Sequence, residues 1–191
     1  MDTPPDIPPR LDVRPLKSYD QRPVTTLWSR RTGLELENSL ELVFDDESAA
    51  YGLVVTEIET IVGFGIVYVF PPEGVLDYLP GDTEALPVGE ENALIHAVGV
   101  TEEWEGRGVG GAVLYYLLEM VRDAHDVEWA FGNAWLREGR TDSTVLFERF
   151  GFERHMTVED SFQRSHGERA CPDCAPEKCT CSSAIYAKQL E

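Results

Sequence analysis

Between Glu105 and Ala112 the chain reads EGRGVGGA, with Gly106, Gly108, Gly110 and Gly111 crowded together ahead of an apolar run, VLYYLLEMV. Glycine at the start of a helix costs stability, so something else needs the bare backbone. The first turn of a helix leaves N–H groups unpaired and carries positive partial charge. Glycines let a ligand approach those groups closely, and the ligand that suits them is an anion, above all a phosphate or pyrophosphate. Two other places carry reactive side chains. His96 lies in the apolar run ALIHAVGV, where it is either a satisfied structural residue or a general base with a near-neutral intrinsic pKa. Cys171, Cys174, Cys179 and Cys181 are spaced C-x2-C-x4-C-x-C in CPDCAPEKCTC. Four such thiolates can close a tetrahedron around a structural Zn2+, with His166 able to replace one of them. Local disulfides and free thiols are the alternatives.

Elements must position these groups. Residues 1–10, MDTPPDIPPR, are a Pro-rich leader expected to hold little fixed structure. Residues 11–16 alternate like a short strand. Residues 20–31 are predicted helical, with Asp20 as cap and Pro23 in the first turn. A second helix is expected from Asn38, with Leu40, Val43 and Phe44 at helical spacing. AAYGLVVTEI and TIVGFGIVYVF read as a hairpin about a tight polar turn. In its second strand Val62, Phe64, Ile66 and Tyr68 share one face, and Gly63 and Gly65 on the other leave room for close packing. Residues 71–92, broken by Pro71, Pro72, Pro80 and Pro87, read as a long excursion. Residues 93–100 form a central strand buried on both faces. The helix after the glycines has Val109, Val113, Leu117 and Val121 along one stripe, widened by Leu114 and Leu118. A strand over 127–135 follows, then a helix capped by Thr141 or Asp142, carrying Val145, Leu146, Phe147 and Phe150 and ended by Gly151. ERHMTVED and SSAIYAKQL are the last two strands, with the cysteines between them.

A P-loop needs lysine and a hydroxyl residue after its last glycine, but Ala112 and Val113 follow here. Gly106, Gly108 and Gly111 match the dinucleotide fingerprint G-x-G-x-x-G, with Asp126 or Glu128 as the ribose acid. In that fold, however, the strand runs straight into the first glycine, and here TEEWE intervenes. VTEEWEGRGVGGAVLYYLL instead resembles motif A of the GNAT N-acetyltransferase superfamily, on which Glu105, Gly106, Arg107, Gly108, Val109 and Gly110 fall. TIVGFGIV resembles that fold's third strand and STVLFERFGFER its late helix, so the likeness runs from Leu11 to Leu190. The resemblance implies an α/β (α+β) GNAT fold, a mixed sheet of about six to seven strands splayed between strands 4 and 5, with helices on both faces. Residues 11–191 would form a single acyltransferase domain with a Cys-rich insertion at 171–181. It implies acetyl-CoA as co-substrate, its pyrophosphate on the N–H groups from Gly106 to Gly111 and its pantetheine arm along Val98 and Val100, with an acetyl group passing to an amine. Two positions depart from the family. Glu105 stands where Gln or Arg is usual, and either faces solvent or is compensated by Arg107. Phe147 stands where many members have a proton-donating tyrosine.

The formal charge is −19, and Lys17, Lys178 and Lys188 are the only lysines. No basic stripe could neutralise phosphates along a nucleic acid. The acidity suits a salt-rich, halophilic cytoplasm, where screening removes most of the mutual repulsion. No run is long and apolar enough for a membrane span, and the acidic leader is no secretory signal. A soluble, cytoplasmic enzyme is therefore expected, monomeric or homodimeric, acting on an amine-bearing small molecule or a peptide or protein acceptor. The rival readings are a non-catalytic acyl-CoA-binding or sensing module and a nicotinamide-binding protein.

Overall fold

A computed structural model describes residues 5–137, 143–161, 174 and 179–190. Its strands are β1 (Leu11–Pro15), β2 (Ala50–Glu57), β3 (Thr60–Phe70), β4 (Asn92–Val100), β5 (Trp129–Leu136), β6 (Glu153–Val158) and β7 (Ser182–Gln189). They form one seven-stranded sheet in the order β1-β2-β3-β4-β5-β7-β6. The helices are α1 (Gln21–Thr32), α2 (Glu37–Val43), α3 (Pro72–Tyr78), α4 (Val109–Ala124) and α5 (Thr144–Arg149). The class is mixed α/β, as expected. The chain groups into two compact units, Met1–Val69 with Ile95–Asp126, and Phe70–Leu94 with Val127–Glu191.

In the first unit β1 pairs antiparallel with β2, and β2 with β3. The β2–β3 hairpin turns through Ile58 and Glu59, with Ile58 at φ 58°. The expected face separation on β3 is present. A Cβ at Gly63 would stand 2.7 Å from Val109 Cγ1, and one at Gly65 would stand 2.4 Å from Val113 Cγ1 and 2.7 Å from Leu117 Cδ1. The glycines therefore let α4 lie directly on the sheet. On the opposite face Phe64 meets Trp28 of α1 edge-on, with ring centroids 6.0 Å apart. Helices thus cover both faces of β3. The predicted α4 stripe, Val109, Val113, Leu114, Leu117, Leu118 and Val121, is buried throughout.

Two caps differ from expectation. Asp20 occupies the N-cap position of α1 but makes no side-chain bond into the helix. Its buried carboxylate instead accepts two bonds from Arg14, at 2.6 and 2.8 Å, and one from the Lys17 N–H at 2.9 Å. The Arg14 guanidinium holds that carboxyl below the usual range. A charge-assisted, two-pronged partner outcompetes a single backbone N–H. Helix α2 begins at Glu37, before Asn38, with Leu36 at its N-cap. Leu36 and Leu40 are both buried, and the Leu40 N–H donates to the Leu36 carbonyl at 3.1 Å. Apolar anchoring one turn apart, rather than a polar cap, sets where this helix starts.

In the second unit β7 pairs antiparallel with β5 and β6, with a register shift between Arg154 and Met156. The excursion after β3 contains α3, which sequence patterning missed. Pro72 sits in its first turn, where the absent N–H costs nothing, so this proline starts a helix rather than breaking one. Asn92 is fully buried and clasps the end of the excursion, accepting from the Gly89 N–H and donating to the Gly89 carbonyl, both at 2.9 Å. Ser143 precedes α5, and the two cap candidates, Thr141 and Asp142, lie outside the described residues. Gly151, at φ 76°, follows the helix as expected. Residues Glu153, Arg154 and His155 of β6 are exposed.

The close approach of α4 gives a direct test. Replacing Gly65 by Ala is expected to cost about 1–3 kcal/mol by overpacking, read as a lower midpoint in urea denaturation. An unchanged midpoint would mean that α4 does not press on the strand.

Candidate active site

Strand β4 delivers the chain to the glycines. The Thr101 N–H donates to the Val62 carbonyl at 2.9 Å, and a short 3-10 turn, Glu102–Trp104, follows. Trp104 is buried and pins this turn. Gly106 has φ 69° and Gly108 φ 86°, a region that residues with a Cβ enter only with strain. Around Gly106 a Cβ would meet nothing within 4 Å, whereas at Gly108 it would stand 3.1 Å from the Asp6 carbonyl. Residues 5–10 of the leader thus reach the turn. Gly108 is the N-cap of α4 and offers no side chain. The first bond of the helix is from the Ala112 N–H to the Gly108 carbonyl, 2.9 Å. The N–H groups of Val109, Gly110 and Gly111 come before it and have no partner within the helix. Val109 is buried against the sheet, so only its backbone serves the turn, while Gly110 and Gly111 are half-buried. The result is a cluster of directed donors suited to an anion.

The charges around the turn differ from the simplest expectation. Glu105 does not pair with Arg107. Its carboxylate accepts from Arg31 Nη2 of α1, and Arg31 Nη1 also lies 3.6 Å from Glu102. Arg107 instead covers Trp104, at 5.4 Å from the ring centroid, and Arg10 of the leader covers the same ring at 4.8 Å. Arg31 and Arg10 had no local signal. Each comes from a distant part of the chain, and only the fold brings them here.

On β4 burial alternates. Ile95, Ala97 and Gly99 are buried, while His96, Val98 and Val100 are half-buried. His96 Nε2 lies 2.8 Å from Ser39 Oγ of α2. Its ring stacks on Tyr68 of β3, with centroids 4.7 Å apart and planes 24° apart. Burial lowers the His96 pKa to about 4 and raises that of Tyr68, whose phenol also bonds to Ser39. At neutral pH the imidazole is uncharged and able to accept a proton, and the phenol keeps its own. Sequence reasoning found His96 but not Ser39 or Tyr68, because α2 carries no motif and Tyr68 read only as a core position.

In the second unit Phe147 is buried and stacks on Tyr186, with Phe152 also beside it. A Cβ at Gly132 would come within 2.2 Å of Phe147 Cζ. Its ring fills core space that leaves no room at position 132. The Tyr186 hydroxyl donates to Glu148 at 3.0 Å. The ligand atoms of Cys174, Cys179 and Cys181 lie within 4.8 Å of one another, with Cys174 Sγ 3.4 Å from Cys181 Sγ. Cys179 and Cys181 are buried and Cys174 is half-buried. Cys171 and His166 lie outside the described residues.

Residues 16–152 match the Acetyltransferase (GNAT) family. No curated protein matches in sequence. Among solved structures, NAA60 of Arabidopsis thaliana in complex with acetyl-CoA is similar, with a TM-score of 0.68 at 12% identity over 94% of this chain and 98% of that chain. An N-acetyltransferase from Staphylococcus aureus Mu50 has a TM-score of 0.67 at 14% identity, over 95% and 99% of the two chains. The ribosomal-protein-S18-alanine N-acetyltransferase from Escherichia coli has a TM-score of 0.62 at 14% identity, over 94% and 93%. At these identities the likeness is one of fold.

The buried histidine predicts a pH signature. Unfolded, His96 binds a proton below about 6.5, whereas folded it does so only below about 4. Its contribution to stability is therefore complete above about 6.5 and is lost as pH falls from there towards 4, to a limit of about 3 kcal/mol. His96→Gln removes the titration, so between pH 7 and pH 4.5 the Tm of the variant should fall less than that of wild type. Parallel melting curves would refute the burial argument.

Proposed function

The chain belongs to the GNAT acetyltransferase family, and on that premise we propose that it transfers an acetyl group from acetyl-CoA to a primary amine of a small molecule, peptide or protein acceptor. The observation that carries this reading is the pair of left-handed glycines, Gly106 and Gly108, opening α4 one short 3-10 turn after β4. They aim backbone donors at a space suited to the diphosphate of coenzyme A. The half-buried backbone around Val98 and Val100 takes the pantetheine arm.

In the reaction the uncharged amine nitrogen attacks the thioester carbonyl carbon. The new C–N bond replaces the C–S bond, the amine loses one proton, and the departing thiolate gains one. Most of the acceleration comes from holding the two reactants together. Ser39 Oγ is the first acceptor of the amine proton, passing its own to His96 Nε2 behind it, 2.8 Å away. Phe147 cannot protonate the thiolate, so that proton comes from water or from the relay.

The test is a free-thiol assay with acetyl-CoA and a panel of amines that includes peptide N-termini and polyamines. His96→Gln and Ser39→Ala should each lower kcat about 10²-fold or more while leaving KM for acetyl-CoA unchanged. Because the His96 pKa is about 4, any acid limb of activity between pH 6 and 8 should follow the pKa of the acceptor amine. An unchanged rate in His96→Ala would remove the base role. Phe147, packed in a core and lacking a proton to give, favours the rival reading of a non-catalytic acyl-CoA-binding module. Binding of acetyl-CoA without turnover on any acceptor would decide for that rival.

The cysteine cluster holds a structural zinc in this reading. Three soft ligand atoms within 4.8 Å of one another suit three corners of a tetrahedron, with Cys171 as the fourth ligand by sequence spacing. Protein purified anaerobically should carry about one zinc per chain, and Cys181→Ser should lose the metal and lower Tm. Metal-free protein with unchanged Tm would refute the site.

A further inference from the structure

Arginines from three separate stretches gather at the glycine turn of a chain whose net charge is −19. Arg10 and Arg107 flank Trp104, and their guanidinium groups are held against its ring. Arg31 behaves differently. It reaches the turn from the last turn of α1 and meets both Glu105 and Glu102. Glu105 immediately precedes Gly106, so its charge belongs to the same turn as the donors that would receive a diphosphate. A carboxylate and a diphosphate on one turn repel, and a cation placed between them offsets that repulsion. The guanidinium carries five donors in a planar fork matched to carboxylate and phosphate alike.

We propose that Arg31 is the phosphate-contacting cation of the coenzyme site, supplied from α1 because position 105 holds a carboxylate, with Glu105 orienting it. This assignment rests on the coenzyme A reading above and adds to it a binding residue outside the glycine motif. In the free protein the Arg31 guanidinium is positioned by Glu105 and Glu102. On binding, it faces the diphosphate with its remaining donors, and Glu105 keeps it in place while opposing the ligand by charge.

A merely structural ion pair and a phosphate contact make different predictions for its two halves. If the pair only braces the fold, losing either partner has the same effect on ligand affinity. If Arg31 contacts the phosphate, loss of Arg31 weakens binding and loss of the Glu105 charge does not. Calorimetry with coenzyme A at low salt should show about tenfold weaker binding for Arg31→Met and unchanged or tighter binding for Glu105→Gln. Arg31→Met with Glu105→Arg should regain most of the loss. The Arg31→Met deficit should shrink as salt rises, as screening requires. Competition against S-acetylpantetheine, which lacks the diphosphate, should show no effect of Arg31→Met. Circular dichroism melts check that each variant is folded, and Arg31→Lys, expected to bind with intermediate affinity, serves if Arg31→Met is not. Wild-type protein with no affinity for coenzyme A would overturn both this assignment and the reading on which it rests. Wild type that binds while Arg31→Met binds equally well, or a Glu105→Gln variant that weakens as much as Arg31→Met, would overturn the Arg31 assignment alone.

Discussion

Val109, Val113 and Leu117 occupy the volume that side chains at positions 63 and 65 would fill, and this contact determines where α4 begins. A helix lying that close to a strand is fixed in height and in rotation, because interiors pack with little slack. Its N-terminus is therefore held at one place relative to the end of β4. The turn between them must then cover a short distance and reverse direction. Gly106 and Gly108 in the left-handed region solve that geometric problem and leave the helix donors unobstructed by side chains. The packing glycines on β3 and the conformational glycines before α4 are thus parts of one arrangement.

Charge is the second constraint. In a chain this acidic, an anion site cannot rely on a general positive field. Attraction at the proposed coenzyme site would have to be local, and two features of the turn suit it. Helix geometry contributes backbone partial charge without adding a side chain. Long arginines from the leader, from α1 and from the turn itself contribute full charge, each anchored by an aromatic ring or a carboxylate. Arginine suits this better than lysine, since its planar group stacks and its charge does not titrate away. The scarcity of lysine in the sequence and the use of arginine at this turn are consistent with one another.

What could be read from the sequence followed from local rules. The α4 stripe, the β2–β3 hairpin and the two-faced glycine pattern of β3 each depend on periodicity within a single element, and they were legible. So was the glycine turn, since its demand on the backbone is written in consecutive residues. The rest depended on partners far apart in the chain. Asp20 looked like a cap until Arg14 offered it a stronger bond. Helix α2 is capped two residues before the expected polar cap, Asn38, because Leu36 is drawn into the core. Helix α3 hid behind prolines that mark its beginning. Arg31 and Ser39 carry no motif, and only the tertiary arrangement sets one beside Glu105 and the other beside His96. Glu105 stands out in the sequence as either solvent-facing or compensated by Arg107; it is exposed, and its cation is the distant Arg31, while Arg107 stacks on Trp104.

The sheet ends on two strands whose outer sides are ill suited to further pairing. Strand β1 finishes in Pro15, which has no N–H to give to a neighbour, and β6 begins with Glu153, Arg154 and His155, all exposed. Charge and proline at sheet margins discourage the strand-to-strand docking that seeds aggregates. In a protein with a long hydrogen-bonded ladder, such margins act as terminators. At these borders, side-chain contacts are favoured over continuation of the backbone ladder.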